Sequence, residues 1–266
     1  MKPFRDSYVA LILFAGLPLS VWFAGPVVLA DSLKIGDTVT GPLKIGHRTI
    51  ALPSGMWQVA TMVERPAVAD SPRLGSILTL HFQEIRNGRL VRGLQVAASK
   101  STRDIRWNSE PCKSKGDSFW IEHRRSWIRN GINDQFCMRV GYLSGIVDDA
   151  RGDAFQAWAR EMKAKSIGYS PEAPFVMVTR FTSSDYLQMW VAFDPMLARI
   201  GPSQSPARHL NDWHGDTVSQ RPTHANFYGA LVSWAPKFAD AVERAFDGDE
   251  SLAGADYGEP TLPSKQ

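Results

Sequence analysis

The sequence predicts an α+β fold, a single domain in which a mainly antiparallel sheet, built from hairpins, carries two amphipathic helices packed on it. Three observations lead there. Short runs that alternate apolar and polar residues, separated by turn residues, fill the chain from 48 to 146. The period switches to helical spacing at 153–165 and again at 222–246. One further alternating pair of runs lies between the two helices, so the order is strands, helix, hairpin, loop, helix. Hairpins imply antiparallel pairing, and alternating strands leave an apolar face for helices to cover.

Each element has a local cause. "RTIALP" (48–53) and "MWQVATMVE" (56–64) are β-type runs on either side of the turn residues Pro53, Ser54 and Gly55. "SILTLHFQEI" (76–85) and "LVRGLQVAAS" (90–99) alternate, and Asn87-Gly88 between them is a strong short hairpin signal. "SFWIEHRRSWI" (118–128) and "FCMRVGYLSGI" (136–146) read as two more strands. In 153–165 Phe155, Trp158, Ala159 and Met162 form one stripe at helical spacing. Residues 174–195 form a second hairpin with its turn near Ser183-Ser184-Asp185. From Pro222, suited to a first helical turn, Phe227, Leu231, Trp234, Phe238, Val242 and Phe246 recur at threes and fours. Pro236 is expected to kink that helix. Residues 251–266, rich in Gly and Pro, read as a flexible tail after a domain spanning 31–250.

The N-terminus sets the compartment. Lys2 and Arg5 precede an uncharged run from Val9 to Ala30, the pattern of an export signal, and Val28-Leu29-Ala30 suits cleavage after Ala30. The run is also long enough to span a bilayer, so residues 1–30 are a signal peptide or an uncleaved anchor. Pro18, Ser20, Gly25 and Pro26 weaken the anchor. Either outcome makes the body periplasmic or secreted, touching membrane only through an uncleaved N-terminal segment. Removing residues 1–30 takes two of 30 basic and one of 27 acidic side chains, leaving a charge near +2. That balance lacks the concentrated basic face of a nucleic-acid binder.

An exported chain with two cysteines points to a disulfide between Cys112 and Cys137. It would close roughly 26 residues and stabilise by about 3.5 kcal/mol. A reactive thiol beside His123, or a pair of metal ligands, is the alternative.

"ALPSGMW" (51–57), the strand bearing Cys137, the Phe193-Asp194-Pro195 stop and "DWH" (212–214) ahead of a Trp-containing helix go together. In these the chain resembles a family of uncharacterised exported bacterial proteins that share an LPxGxW turn. The resemblance spans nearly the whole mature chain and implies export and a single domain. It brings no activity with it.

Familiar chemistry is scarce. "GDSF" (116–119) looks like the Gly-Asp-Ser block of some serine esterases, but it sits inside the cysteine loop as an ordinary turn. "GPLKIGHR" (41–48) has His47 and Arg48 where a phosphate-binding loop needs Lys and Ser/Thr. In "GYLSG" (141–145) the serine is one place late for a nucleophile elbow. No dinucleotide fingerprint, HExxH or acidic calcium loop occurs, so no cofactor is expected. Two clusters are left. Along 120–129, strand alternation puts His123, Arg125 and Trp127 on one face, a surface for an anionic envelope component such as lipid head groups or polysaccharide. The ordinary reading is an edge strand whose charges block aggregation. "RHLNDWHGD" (208–216) gathers His209, Asp212, His214 and Asp216, residue types that bind zinc. A spacing of five separates His209 from His214 on a helix or a strand, so only a looped backbone brings them together. The ordinary reading there is a long loop pegged by Trp213. The sequence therefore favours a non-catalytic envelope or periplasmic protein, for binding or structure. An exported hydrolase with its site in the 202–221 loop is the alternative.

Overall fold

The computed structural model describes residues 26–67, 75–102, 110–113, 118–129, 132–143, 153–203, 205, 210–248 and 258–263. Outside them lie His209, Gly116 and Asp117 of the GDSF block, the end of the GYLSG block, residues 1–25 of the N-terminal segment and most of the stretch expected as a tail.

Mixed α+β architecture is what these residues adopt. The strands are β1 (Val28–Leu29), β2 (Thr38–Val39), β3 (Leu43–Ile45), β4 (Arg48–Ile50), β5 (Trp57–Pro66), β6 (Gly75–Arg86) and β7 (Arg89–Thr102). They continue with β8 (Trp120–Arg129), β9 (Ile132–Leu143), β10 (Ala173–Thr182) and β11 (Tyr186–Phe193). The helices are α1 (Asp153–Ala164) and α2 (Pro222–Phe246). Eight strands form one antiparallel sheet in the order β2-β5-β6-β7-β11-β10-β9-β8. A separate three-stranded sheet has the order β1-β3-β4, with β1 parallel to β3.

Local chemistry accounts for the connections. Between β6 and β7, Asn87 and Gly88 sit at φ 51° and 71°, the left-handed region a tight hairpin requires. The ALPSGMW turn is also structural. Trp57 is fully buried and donates its indole N–H to the Pro53 carbonyl at 2.6 Å. Gly55 has φ 146°, and a Cβ there would lie 2.5 Å from Nη2 of Arg92, whose guanidinium stacks on Trp57. At the Phe193-Asp194-Pro195 stop, Asp194 accepts from Met196 N at 2.9 Å, pairs with Arg89 and so ends β11 in a helical turn.

Both faces of the large sheet are covered, whereas the sequence asks for only one. On one face the predicted stripe of α2 is buried from Phe227 to Phe246. It packs with Leu80, Val96, Val178, Met189 and the small sheet. On the other, Trp158 and Met162 of α1 pack with Ala60, Phe175, Trp190 and Ala192. Val191 and Ala192, consecutive residues of β11, thus belong to opposite cores. The helix runs on through Pro236, seated against β9, β10 and β11.

Two boundaries differ from the sequence reading. Val28 donates to the Pro42 carbonyl at 2.9 Å and Ala30 is buried, so the fold begins before Asp31. Within the stretch expected as a tail, Gly258 accepts the Trp234 indole N–H at 3.0 Å, Glu259 pairs with Arg92 at 2.8 Å, and Leu262 packs on the core. A buried indole and a buried arginine each need a partner, and this segment supplies both. No helix among the described residues is long and apolar enough to cross a membrane.

Candidate functional site: the 202–221 loop and the open sheet face

Trp213 organises the 202–221 loop. It is fully buried, with its ring edge-on to His224, Phe227 and Tyr228 at centroid distances of 4.4, 5.5 and 5.5 Å. The Tyr228 hydroxyl donates to its carbonyl at 2.8 Å. Asn211 accepts from Trp213 N at 2.9 Å and donates to Glu172 Oε1 at 3.2 Å. Asp212 takes the Arg221 guanidinium at 2.8 Å, and its own N–H donates to Ser203 Oγ at 3.0 Å. Polar side chains here are consumed in folding the loop, as expected of short Asn, Asp and Ser chains.

The metal expectation fares poorly among the residues it names. Asp216 points its carboxylate into solvent, 3.7 Å from His214 Nδ1, which accepts the Asp216 N–H at 3.3 Å. Asp212 is engaged by Arg221. Among the described residues no group of three or more His, Cys, Asp or Glu side chains gathers closely enough to hold a metal ion, and His209 lies outside them.

The same region holds a group that sequence reading missed. Glu172, one residue ahead of β10, is buried beside Asn211. Burial pushes its carboxyl above the usual range, opposed by hydrogen bonds from Asn211 and the Ser203 backbone and helped by the Asp212 charge. Burial likewise lowers His224. Glu172 Oε2, Trp213 Nε1 and His224 Nε2 are buried without a hydrogen-bond partner among the described residues. Glu172 sits in a Pro-Glu-Ala-Pro stretch that reads only as a turn.

The disulfide is present: Cys112 and Cys137 lie 5.8 Å apart at Cα and are bonded. Their sulfurs are therefore unavailable to a metal or to thiol catalysis. The loop they pin also places Pro111, whose carbonyl accepts from Arg139 Nη2 at 2.5 Å.

The cationic face expected on β8 is divided. The pairing shifts register between His123, opposite Cys137, and Arg125, opposite Phe136. This bulge breaks the alternation. Arg125 and Trp127 fall on the face carrying α2, and His123 on the other. Arg124 pairs with Asp240 of α2, and Arg125 pairs with Glu243 of α2 at 2.8 Å. β8 is the sheet's edge, and its two central cations are neutralised within the chain.

The open part of the sheet's second face is different in character. A chain of side-chain hydrogen bonds crosses five strands there. Thr61 meets His81 Nδ1 at 2.6 Å, His81 Nε2 meets Gln95 Oε1 at 3.0 Å, Gln95 Nε2 donates to Gln188 at 3.3 Å, and Gln188 Nε2 donates to Thr179 at 3.1 Å. With Gln95 Oε1 as the acceptor, His81 Nε2 is the donor, and the Thr61 hydroxyl meets the other ring nitrogen. Phe155 and Trp190 pack around the His81 ring. Beside this chain lies a cavity of about 410 Å³, lined by Ile77, Thr79, Gln95, Ala97, Phe181 and Tyr186 and bounded by Ala67 and Pro111. Among the described residues its lining holds no carboxylate, ammonium or guanidinium, and burial keeps the Tyr186 phenol protonated by pushing its pKa up.

No family model, curated protein or solved structure matches the chain.

Proposed function

We propose that this chain is an exported, non-catalytic, single-domain binding protein of the periplasm or envelope, and that its ligand occupies the cavity on the open sheet face. One observation carries the reading: a concave site of about 410 Å³ whose described lining is largely apolar, with Thr79, Gln95 and the Tyr186 hydroxyl as its polar groups and no carboxylate, ammonium or guanidinium. Export draws support from the Lys2/Arg5 start and apolar run, from the disulfide, and from the resemblance in ALPSGMW and DWH. An anionic envelope partner has less to hold it, because Arg124 and Arg125 already pair with α2. Filling the cavity tests the reading. The half-exposed Thr79 accepts a larger side chain without disturbing the core, so Thr79→Trp should fold as wild type and lose binding of an uncharged solvatochromic dye such as prodan. Wild-type dye affinity in that variant would remove the cavity from consideration.

A second reading, an exported hydrolase with its site in the 202–221 loop, rests on the unsatisfied atoms of Glu172 and His224. A covalent route of hydrolysis needs a side-chain nucleophile near these groups. Ser203 Oγ accepts from Asp212 N and Ser205 N and donates to the Ser205 carbonyl, which occupies it structurally. The binding reading is therefore preferred.

A further inference from the structure

We infer that Gln95 is the specificity-determining donor of this cavity and that the ligand is an uncharged amphiphile with a ring or short aliphatic body and one carbonyl or ether oxygen. The inference rests on the binding reading above and adds the ligand's chemistry.

The apolar requirement comes from the walls. Ile77, Ala97, Pro111 and the rings of Phe181 and Tyr186, which stand edge to face at 6.1 Å, surround the space. They suit a flat or aliphatic body by burial of apolar area. The absence of charge comes from the same lining. An ion moved into it would lose water and gain no counter-ion from the described lining residues. The volume limits the ligand to a small molecule, at the lower end of ordinary sites.

The oxygen requirement comes from Gln95. Its carbonyl oxygen is taken by His81 Nε2–H and one of its N–H bonds by Gln188. The amide is therefore fixed in orientation, and its second N–H has no acceptor among the described residues, on a side chain that lines the cavity. A half-buried N–H of this kind rewards a ligand that offers an acceptor and penalises one that does not. His81 acts as a positioning residue. It is held in place by Thr61, Phe155, Trp158 and Trp190. Thr79 adds a hydroxyl on the neighbouring strand, able to donate or accept.

The experiment compares two uncharged dyes by fluorescence titration: the naphthyl ketone prodan, and the parent dimethylnaphthylamine that lacks the ketone. Wild-type protein should prefer the ketone by about five- to tenfold, the worth of one hydrogen bond. Gln95→Leu, close to Gln in size, should bind both dyes alike at the affinity wild type shows for the plain amine. His81→Phe should keep plain-amine binding and lose most of the ketone preference, which a merely structural role would not separate. Retention of the ketone preference in Gln95→Leu would overturn the inference, and so would an equal loss of both dyes. If Thr79→Trp leaves both affinities unchanged, or if wild type binds neither dye, the cavity reading itself fails and this inference falls with it.

Discussion

At Glu172 a carboxyl group is buried one residue ahead of β10, with Asn211 donating to one oxygen and the other unsatisfied. Its folded pKa is raised above the ordinary 4.5, mainly by burial. The stability that protonated Glu172 contributes is fully present below the unfolded pKa and is lost as pH rises through the folded value. Near neutral pH the group is thus a liability. Glu172→Gln keeps an acceptor for Asn211 and removes the charge, so it should melt a few degrees above wild type at pH 7.5. Below pH 4.5 the two should melt together. A variant that melts lower than wild type at pH 7.5 would show that the ionised carboxylate is held by a partner. Residues such as this one, His81 and Gln95 were the least legible in sequence. Alternation in SILTLHFQEI puts His81 opposite Leu80 and Phe82, but it cannot say that α1 covers that second face and makes its polar residues interior.

The elements themselves were largely legible, because each depends on nearest neighbours in the chain. The period of α2, the β6–β7 turn at Asn87-Gly88 and the cysteine pair are local signals that the structure carries through. The bulge in β8 was not, since it depends on how β8 meets β9, and it separates His123 from Arg125 and Trp127. The two-residue strands β1 and β2 are too short for any pattern. The 202–221 loop shows how composition misleads: its histidines and aspartates attract attention, but its fold hangs on Trp213. Trp213→Ala should cost about 3–5 kcal/mol, the usual range for a buried aromatic truncated to alanine. His214→Ala, which removes the acceptor of the exposed Asp216 N–H, should cost under about 1 kcal/mol. Urea unfolding of the two variants decides it, and an equal loss in both would return the loop to the polar residues.

At the scale of the molecule, sheet order was beyond sequence reading. β7 pairs with β11 and β9 with β10, so these pairs join strands separated in the chain by α1 or more. Such non-local pairing is chosen by the fit of whole faces, to which no short pattern corresponds. The same non-local packing reaches the N-terminal segment. β1 pairs in parallel with β3, Ala30 is 1% exposed in the main core, and Asp31 meets Lys100 at 2.7 Å. Cleavage after Ala30 would therefore delete a strand and a core residue along with the proposed export signal. A chain beginning at Asp31 should be less stable by about 1–2 kcal/mol than one beginning at Pro26, through the lost Val28–Pro42 hydrogen bond and the burial of Ala30. On the export reading the product should keep Val28 to Ala30, and mass analysis of its N-terminus after cell fractionation checks this. The expected product lies outside the cytoplasm and still carries those residues. Soluble full-length protein in the cytosol would refute export. An exported product that starts at Asp31 and melts with the longer chain would show that β1 is dispensable.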